Sequence, residues 1–147
     1  MTWLNEPQNW KLENDHLSVF ADSHTDFWRK THYGFVRDSG HFYYEKVSGN
    51  FEVETEFRGK YESLYDQAGI MVRLDEANWI KAGIEHSDGQ ALLSSVLTVG
   101  QSDWATGPCA FRLPQTVYDG HWSACAASPW QIGMRLDRYA ARPSALG

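Results

Sequence analysis

Two short segments of the chain carry residue types that can do chemistry, Gln67–Arg73 and Trp79–Glu85, and both alternate with period two. In the first, Ala68, Ile70 and Val72 share one face, and Gln67, Gly69, Met71 and Arg73 share the other. In the second, Ile80, Ala82 and Ile84 oppose Trp79, Lys81, Gly83 and Glu85. That is the period of a β-strand with one face toward a core. The polar turn Asp75-Glu76-Ala77-Asn78 joins the two, so they are expected to pair as a hairpin whose non-core faces merge. Each face has a glycine at its middle, and glycine inside a strand often marks close approach of another group to the backbone. Gln67, Arg73, Trp79, Lys81 and Glu85 then surround a low floor with polar and aromatic walls. Such a concave face suits a sugar, which offers C–H faces to an aromatic ring and hydroxyls to polar groups. Tyr61, Tyr65 and Asp66, just upstream, form one rim. The competing structural account makes Lys81 and Glu85 a same-face ion pair across Gly83, worth about 0–1 kcal/mol when exposed. The glycines then only relieve packing beneath a covering loop.

Catalysis is the lesser expectation. Glycoside hydrolysis needs two carboxyl groups roughly 5–10 Å apart. Glu85, Asp66 and Glu56 supply such a pair if their strands are neighbours, with Glu85 and Asp66 the candidates. No Glu-x-Asp-x-x-Glu array is present, and Glu52-Val53-Glu54-Thr55-Glu56 has the wrong spacing. The six histidines form no His-x-His or His-x-x-x-His pair and there is no CxxC, so neither a metal nor another cofactor is expected. Phosphate-cradling loops, a GxSxG elbow and kinase signatures are also missing from the sequence. The two cysteines, Cys109 and Cys125, follow no secretory layout at the start of the sequence, which reads as free thiols in a reducing, cytoplasmic compartment.

The elements that must position these residues are strands. Leu17–Ala21 and His41–Val47 read as strands, Ser48-Gly49-Asn50 as a turn, and Leu92–Val99 as a further strand. Phe51, Val53, Thr55 and Phe57 alternate with Glu52, Glu54, Glu56 and Arg58, the pattern of a half-buried strand with a solvated acidic face. Ser87-Asp88-Gly89-Gln90 signals a hairpin turn. Thr25–Arg29 reads as one turn of helix or a tight loop, capped by Thr25 or Asp26. Strand, turn, strand at short spacing predicts an all-β fold, an antiparallel two-sheet sandwich in a single domain over the 147 residues.

Composition narrows the partners. With 13 basic and 19 acidic residues the net charge is −6, which argues against nucleic acid or an anionic membrane held by a basic patch. No apolar run approaches the roughly 18 residues of a spanning helix. The charge is uneven: residues 1–106 hold nine basic and 17 acidic residues, while 107–147 hold four Arg and two Asp together with both cysteines and four of the five prolines.

Five segments, WLNEP at 3–7, TDFWRKTHYGFVRDSGHF at 25–42, YDQAGIMVR at 65–73, NWIKAGIE at 78–85 and SDW at 102–104, occur in an order that resembles the family known as domain of unknown function 1349. That family includes the fungal regulation-of-enolase protein. The resemblance covers about residues 1–106. It implies a concanavalin A-like jelly-roll sandwich, the fold of lectins and glucanases, in an intracellular protein with no assigned reaction. It also implies that Trp28, Tyr33, Asp66, Gln67, Gly69, Trp79, Lys81, Gly83, Glu85, Ser102, Asp103 and Trp104 serve the site or its scaffold. After Trp104 the pattern departs from the family: Tyr118-Asp119-Gly120-His121-Trp122 only echoes a closing hairpin. The reading of 107–147 is a disrupted ending, diverged or frame-shifted, that leaves part of the second sheet missing and an open edge for homo-oligomerisation. The expected function is a non-catalytic, carbohydrate-like binding module. Its ligand residues are Trp28, Tyr33, Tyr65, Asp66, Gln67, Arg73, Trp79, Lys81 and Glu85. A hydrolase using Glu85 and Asp66, or a regulatory protein docking on a metabolic enzyme, are the alternatives.

Overall fold

The alternating segments resolve into strands throughout: β1 (Thr2–Leu4), β2 (Asn9–Glu13), β3 (His16–Phe20), β4 (Phe27–Arg29), β5 (Val36–Asp38), β6 (His41–Val47), β7 (Asn50–Gly59), β8 (Gln67–Asp75), β9 (Asn78–Ser87), β10 (Gln90–Val99), β11 (Gln101–Pro108), β12 (Tyr118–Ala127) and β13 (Trp130–Asp137). The computed structural model describes residues 1–108 in full, and 118–127 and 130–137 in backbone course and pairing. Cys109 and the Cys125 side chain lie outside this description. Among the described residues no helix is long and apolar enough to cross a membrane.

A seven-stranded antiparallel sheet runs in the order β1-β6-β13-β8-β9-β10-β11, and β12 pairs with β7 in a second, two-stranded layer. The β8–β9 hairpin forms as its turn signal predicts. The Asp75 carboxylate accepts from Asn78 Nδ2 and from the Ala77 amide, and these bonds, the first above all, hold its pKa below the usual carboxylate value. Asp88 (φ 52°) and Gly89 (φ 74°) both take left-handed backbone between β9 and β10, the requirement of a two-residue type I′ turn. β7 alternates half-buried and exposed residues along its whole length. Its Phe57 packs with Tyr61, Ala68, Ile84 and Leu93 between the two layers.

The opposite face of the large sheet is where structure and sequence pattern part. Period two marks it as non-core, yet Gln67, Met71, Arg73, Trp79, Lys81 and Glu85 are all buried. Residues 22–40 lie across it, and β4 drops Phe27 and Trp28 onto Met71, Trp79 and Val96, making a second apolar cluster. Residues 27–29 are therefore a strand paired with β5, not a helical turn. Where the cover lies on the sheet the expected polar side becomes a second core, while on the other face Ile80 and Leu97 stay exposed, so alternation there separates two faces without telling which one is solvated.

The C-terminal segment also differs from its expectation. β12 supplies the partner strand of β7, and β13 runs between β6 and β8 in the middle of the large sheet. Residues 118–122, read as a faint echo of a hairpin in a disrupted ending, extend along β7, with Gly120 opposite Phe57. The Ala-, Pro- and Arg-rich composition of this segment hid strands that the sheet nonetheless pairs.

Candidate binding site

The covering segment is fastened to the sheet by buried polar groups. Lys81, 2% exposed, donates to Asp26 Oδ1 at 3.1 Å and to the Phe27 carbonyl at 2.8 Å. A buried ammonium persists only when paired, and Asp26 and the carbonyl meet that need. Arg73 forms a two-pronged bond with Asp38, at 2.6 and 2.9 Å, and lies over the Phe27 ring. Ser102 Oγ accepts from the Arg29 amide at 2.9 Å. Arg73 and Trp79 thus hold the cover and fill the core beneath it. The open concave face expected across these strands is closed over most of its breadth, because the polar side chains read as ligand walls bind residues 26–38 instead.

One part stays open. Beside the cover lies a cavity of about 170 Å³, walled by the rings of Trp28, Tyr33, Phe35, Tyr65 and Trp104. Asp26, Gln67, Lys81 and Val96 line it as well, with His32. Five of the nine ligand residues expected from sequence therefore meet here: Trp28, Tyr33, Tyr65, Gln67 and Lys81.

Two loops carry the aromatic walls. Between β4 and β5 the chain bends through three left-handed residues, Lys30, His32 and Gly34, closed by the bond from the Gly34 amide to the Lys30 carbonyl. This sets Tyr33 parallel to Phe35, with ring centres 5.2 Å apart, and leaves Tyr33 more than half exposed. Between β7 and β8, Tyr65 holds φ 68°, a rare conformation for a bulky side chain. The turn before it over-determines that geometry. Asp66 Oδ2 accepts from the Glu62 and Ser63 amides at 2.9 and 2.8 Å, and the Tyr65 amide donates to the His86 carbonyl. The Asp66 carboxylate is spent on this turn and does not line the cavity.

The Tyr33 side chain stands close enough to the Tyr65 hydroxyl to act on its titration. The Tyr33 hydroxyl and burial, helped by the nearby charges of Glu85 and Asp88, push the Tyr65 pKa up to about 12. Trp104 stands edge-on to Tyr65, centres 6.4 Å apart at 86°. Its indole donates to Ser94 Oγ at 3.2 Å, and Ser94 donates to Glu85 Oε2 at 2.6 Å. Glu85 thus sits one residue behind the wall, opposite Gln67 in the β8–β9 register.

Sequence reasoning did not single out Asp26, Phe35 or Ser94. A buried lysine on β9 demanded an acid across from it, and that was the available signal for Asp26. Phe35 alternates with Tyr33 about Gly34 in an aromatic loop. Nothing local marks Ser94 within Leu92–Val99. Among the described residues no group of three or more His, Cys, Asp or Glu is placed to hold a metal ion.

Comparison with known proteins adds kinship. The model of a family described as "Protein of unknown function (DUF1349)" matches residues 3–118. A relative from Saccharomyces cerevisiae (strain ATCC 204508 / S288c), named "Regulation of enolase protein 1", is 56% identical over 105 residues. The match covers 71% of this chain and 53% of the relative, so it spans about half the relative's length. A solved structure titled "The crystal structure of a functionally unknown protein from Saccharomyces cerevisiae" superposes with a TM-score of 0.81 at 38% identity. It covers 93% of this chain and 88% of that one.

Proposed function

The chain belongs to the DUF1349 family of proteins of unknown function, and from that premise and the cavity's geometry we propose a non-catalytic binding module that takes a saccharide unit. The observation that carries the reading is the convergence of five aromatic rings around a cavity of about 170 Å³ that Asp26, Gln67 and Lys81 also line. Aromatic walls bury C–H surface, and a few fixed polar groups set orientation, the usual anatomy of a small-molecule site. Lys81 and Asp26 neutralise one another, so the cavity favours a neutral polar ligand over an ion. A cavity of this size takes one ring, not a chain. Two opposed carboxylates in a hydrolase arrangement receive no support, because Asp66 is committed to its turn and Glu85 to Ser94.

Thermal unfolding of the full chain against a saccharide panel tests the reading. A ligand at ten times its Kd stabilises by about 1.4 kcal/mol, which raises Tm by roughly 3–6 °C in a chain of this size. Trp104→Ala is expected to abolish that rise. No rise with any saccharide overturns the proposal.

A second reading, a regulatory protein that docks on a metabolic enzyme, is supported by the printed name of the 56% identical relative. Capture of purified enolase by the immobilised chain, lost on excess free chain, supports it; no capture overturns it.

A further inference from the structure

Both tryptophans in the cavity wall have committed their only hydrogen-bond donor to the protein. Trp28 Nε1 donates to the Thr31 carbonyl at 2.8 Å, and Trp104 Nε1 donates to Ser94 Oγ. An indole has one donor and no acceptor, so each ring offers an occupant only its π surface. The two rings are held differently. Trp28 is buried within the cover. Trp104 stands on β11, the edge strand of the large sheet, and is 38% exposed. Its ring touches Tyr65 only edge-on. Its indole bond to Ser94 is what sets its orientation.

Ser94 is suited to that task because its hydroxyl has one available direction. The Glu85 carboxylate, 2% exposed, accepts the Ser94 proton at 2.6 Å. The hydroxyl proton therefore points inward, and the oxygen lone pairs are left facing the Trp104 indole N–H. Ser94 is itself 7% exposed, so water does not compete freely for those lone pairs. A hydrogen bond to a charged group at this distance is strong enough to fix a rotor that is otherwise free. The chain Glu85, Ser94, Trp104 thus transmits the rigidity of the sheet to a half-exposed ring at the cavity mouth.

We infer that Ser94, held by Glu85, is the positioning residue that fixes the Trp104 ring in the cavity wall, and that the cavity therefore selects one pyranose ring over an acyclic polyol. The ligand half of this inference rests on the binding reading above. A pyranose presents a flat C–H patch to a π surface. An acyclic polyol carries the same hydroxyls without such a patch, and two indoles with no donor to spare offer it nothing in exchange.

The experiment uses the full chain with 15N-labelled tryptophan, as wild type, Ser94→Ala and Ser94→Thr, with Trp104→Phe to assign the Trp104 signal. In Ser94→Ala the Trp104 indole N–H resonance is expected to shift and to exchange faster with water, while the Trp28 resonance stays in place. Ser94→Thr restores the Trp104 signal. Affinity for methyl pyranosides is expected to fall about tenfold in Ser94→Ala, as for loss of one hydrogen bond that orders a wall, and to recover in Ser94→Thr. Sorbitol is expected to bind the wild type at least about tenfold more weakly than the best pyranoside. An unmoved Trp104 resonance in Ser94→Ala overturns the positioning role. Sorbitol binding as tightly as the pyranosides overturns the selection. A wild type that binds no pyranoside removes the binding reading and the ligand half together, and the indole resonance still decides whether Ser94 holds Trp104. Trp104→Phe keeps an aromatic face without the donor and leaves Glu85 and Ser94 untouched; it is expected to weaken pyranoside binding, and unchanged affinity counts against the wall.

Discussion

Gly69 on β8 and Gly83 on β9 stand directly opposite each other, and neither has room for a methyl group. A Cβ on Gly69 lies 2.0 Å from the Ala82 carbonyl oxygen and 2.7 Å from the Gly83 Cα; a Cβ on Gly83 lies 2.0 Å from the Ala68 carbonyl oxygen. What comes close to these glycines is the neighbouring strand. The pair draws the backbones of β8 and β9 together midway along the hairpin whose flanking residues, Lys81 and Gln67, reach the cavity. The glycines are therefore required by sheet geometry, and neither lines the cavity.

Gly83→Ala is expected to be strongly destabilising. The obstacle is backbone on a central strand, which cannot swing aside as a side chain does, so the strands must separate. Overpacking of this kind costs about 1–3 kcal/mol when a core can relax, and more where it cannot. Gly69→Ala meets the same obstacle from the other strand and should cost as much. The double alanine variant should not add the two costs, because one separation relieves both. Urea midpoints of the three variants check this; a midpoint within error of wild type for either single variant contradicts it.

The Lys81–Asp26 pair makes the cover part of the fold. Removing the ammonium leaves a carboxylate and the Phe27 carbonyl against the sheet, and breaking a buried pair this way costs about 3–5 kcal/mol. Lys81→Met is expected in that range. Adding Asp26→Asn removes the carboxylate charge that has lost its ammonium, so the double variant should be more stable than Lys81→Met alone. A double-mutant cycle by urea denaturation measures the coupling. Additive single effects would show that the cover is held chiefly by Phe27 and Trp28.

How much of this was legible depends on what each residue faces. The alternation of Phe51 to Arg58 gave a correct strand, because β7 has one solvated side. The same rule applied to Lys81 and Arg73 gave correct strands and a wrong exposure. Their partners, Asp26 and Asp38, lie 55 and 35 residues away in a segment whose own pattern was too short to show two three-residue strands. Tyr65 was found by its place just upstream of the hairpin and Tyr33 only through the family resemblance, and the two left-handed loops that bring both to the cavity are not registered by period analysis. β13 was missed although Trp130, Ile132, Met134 and Leu136 alternate strictly with Gln131, Gly133, Arg135 and Asp137, because the Ala-, Pro- and Arg-rich composition around it led the whole segment to be read as disrupted; the strand pairs across β6 and β8.

Asp66 distinguishes a turn from an acid. Its carboxylate oxygen takes two amide bonds, and hydrogen bonds to a charged acceptor contribute about 1.5–3 kcal/mol. Asp66→Ala is expected to lose roughly that much stability and to weaken saccharide binding by releasing Tyr65. Asp66→Asn keeps an acceptor oxygen and should retain most of both. Equal loss in Asn and Ala variants, with binding unaffected in both, would detach the turn from the site.

The influence of Tyr33 on Tyr65 is open to direct titration. Tyr65 is raised from its ordinary 10.0 to about 12, chiefly by the Tyr33 hydroxyl and then by burial. The folded state thus holds the proton more tightly than the unfolded chain. Its contribution to stability is fully present below about pH 10 and is lost as pH rises from there through about 12. Absorbance titration of phenolate in the wild type should show a late-titrating tyrosine, and Tyr33→Phe should bring one group back toward 10. Because Tyr33→Phe keeps the ring stacked on Phe35, the change reports the Tyr33 hydroxyl and leaves the wall standing. Stability measured between pH 10 and 12 should accordingly fall less steeply in Tyr33→Phe than in wild type. Superimposable titrations would mean that burial and the charges of Glu85 and Asp88 hold the proton without Tyr33.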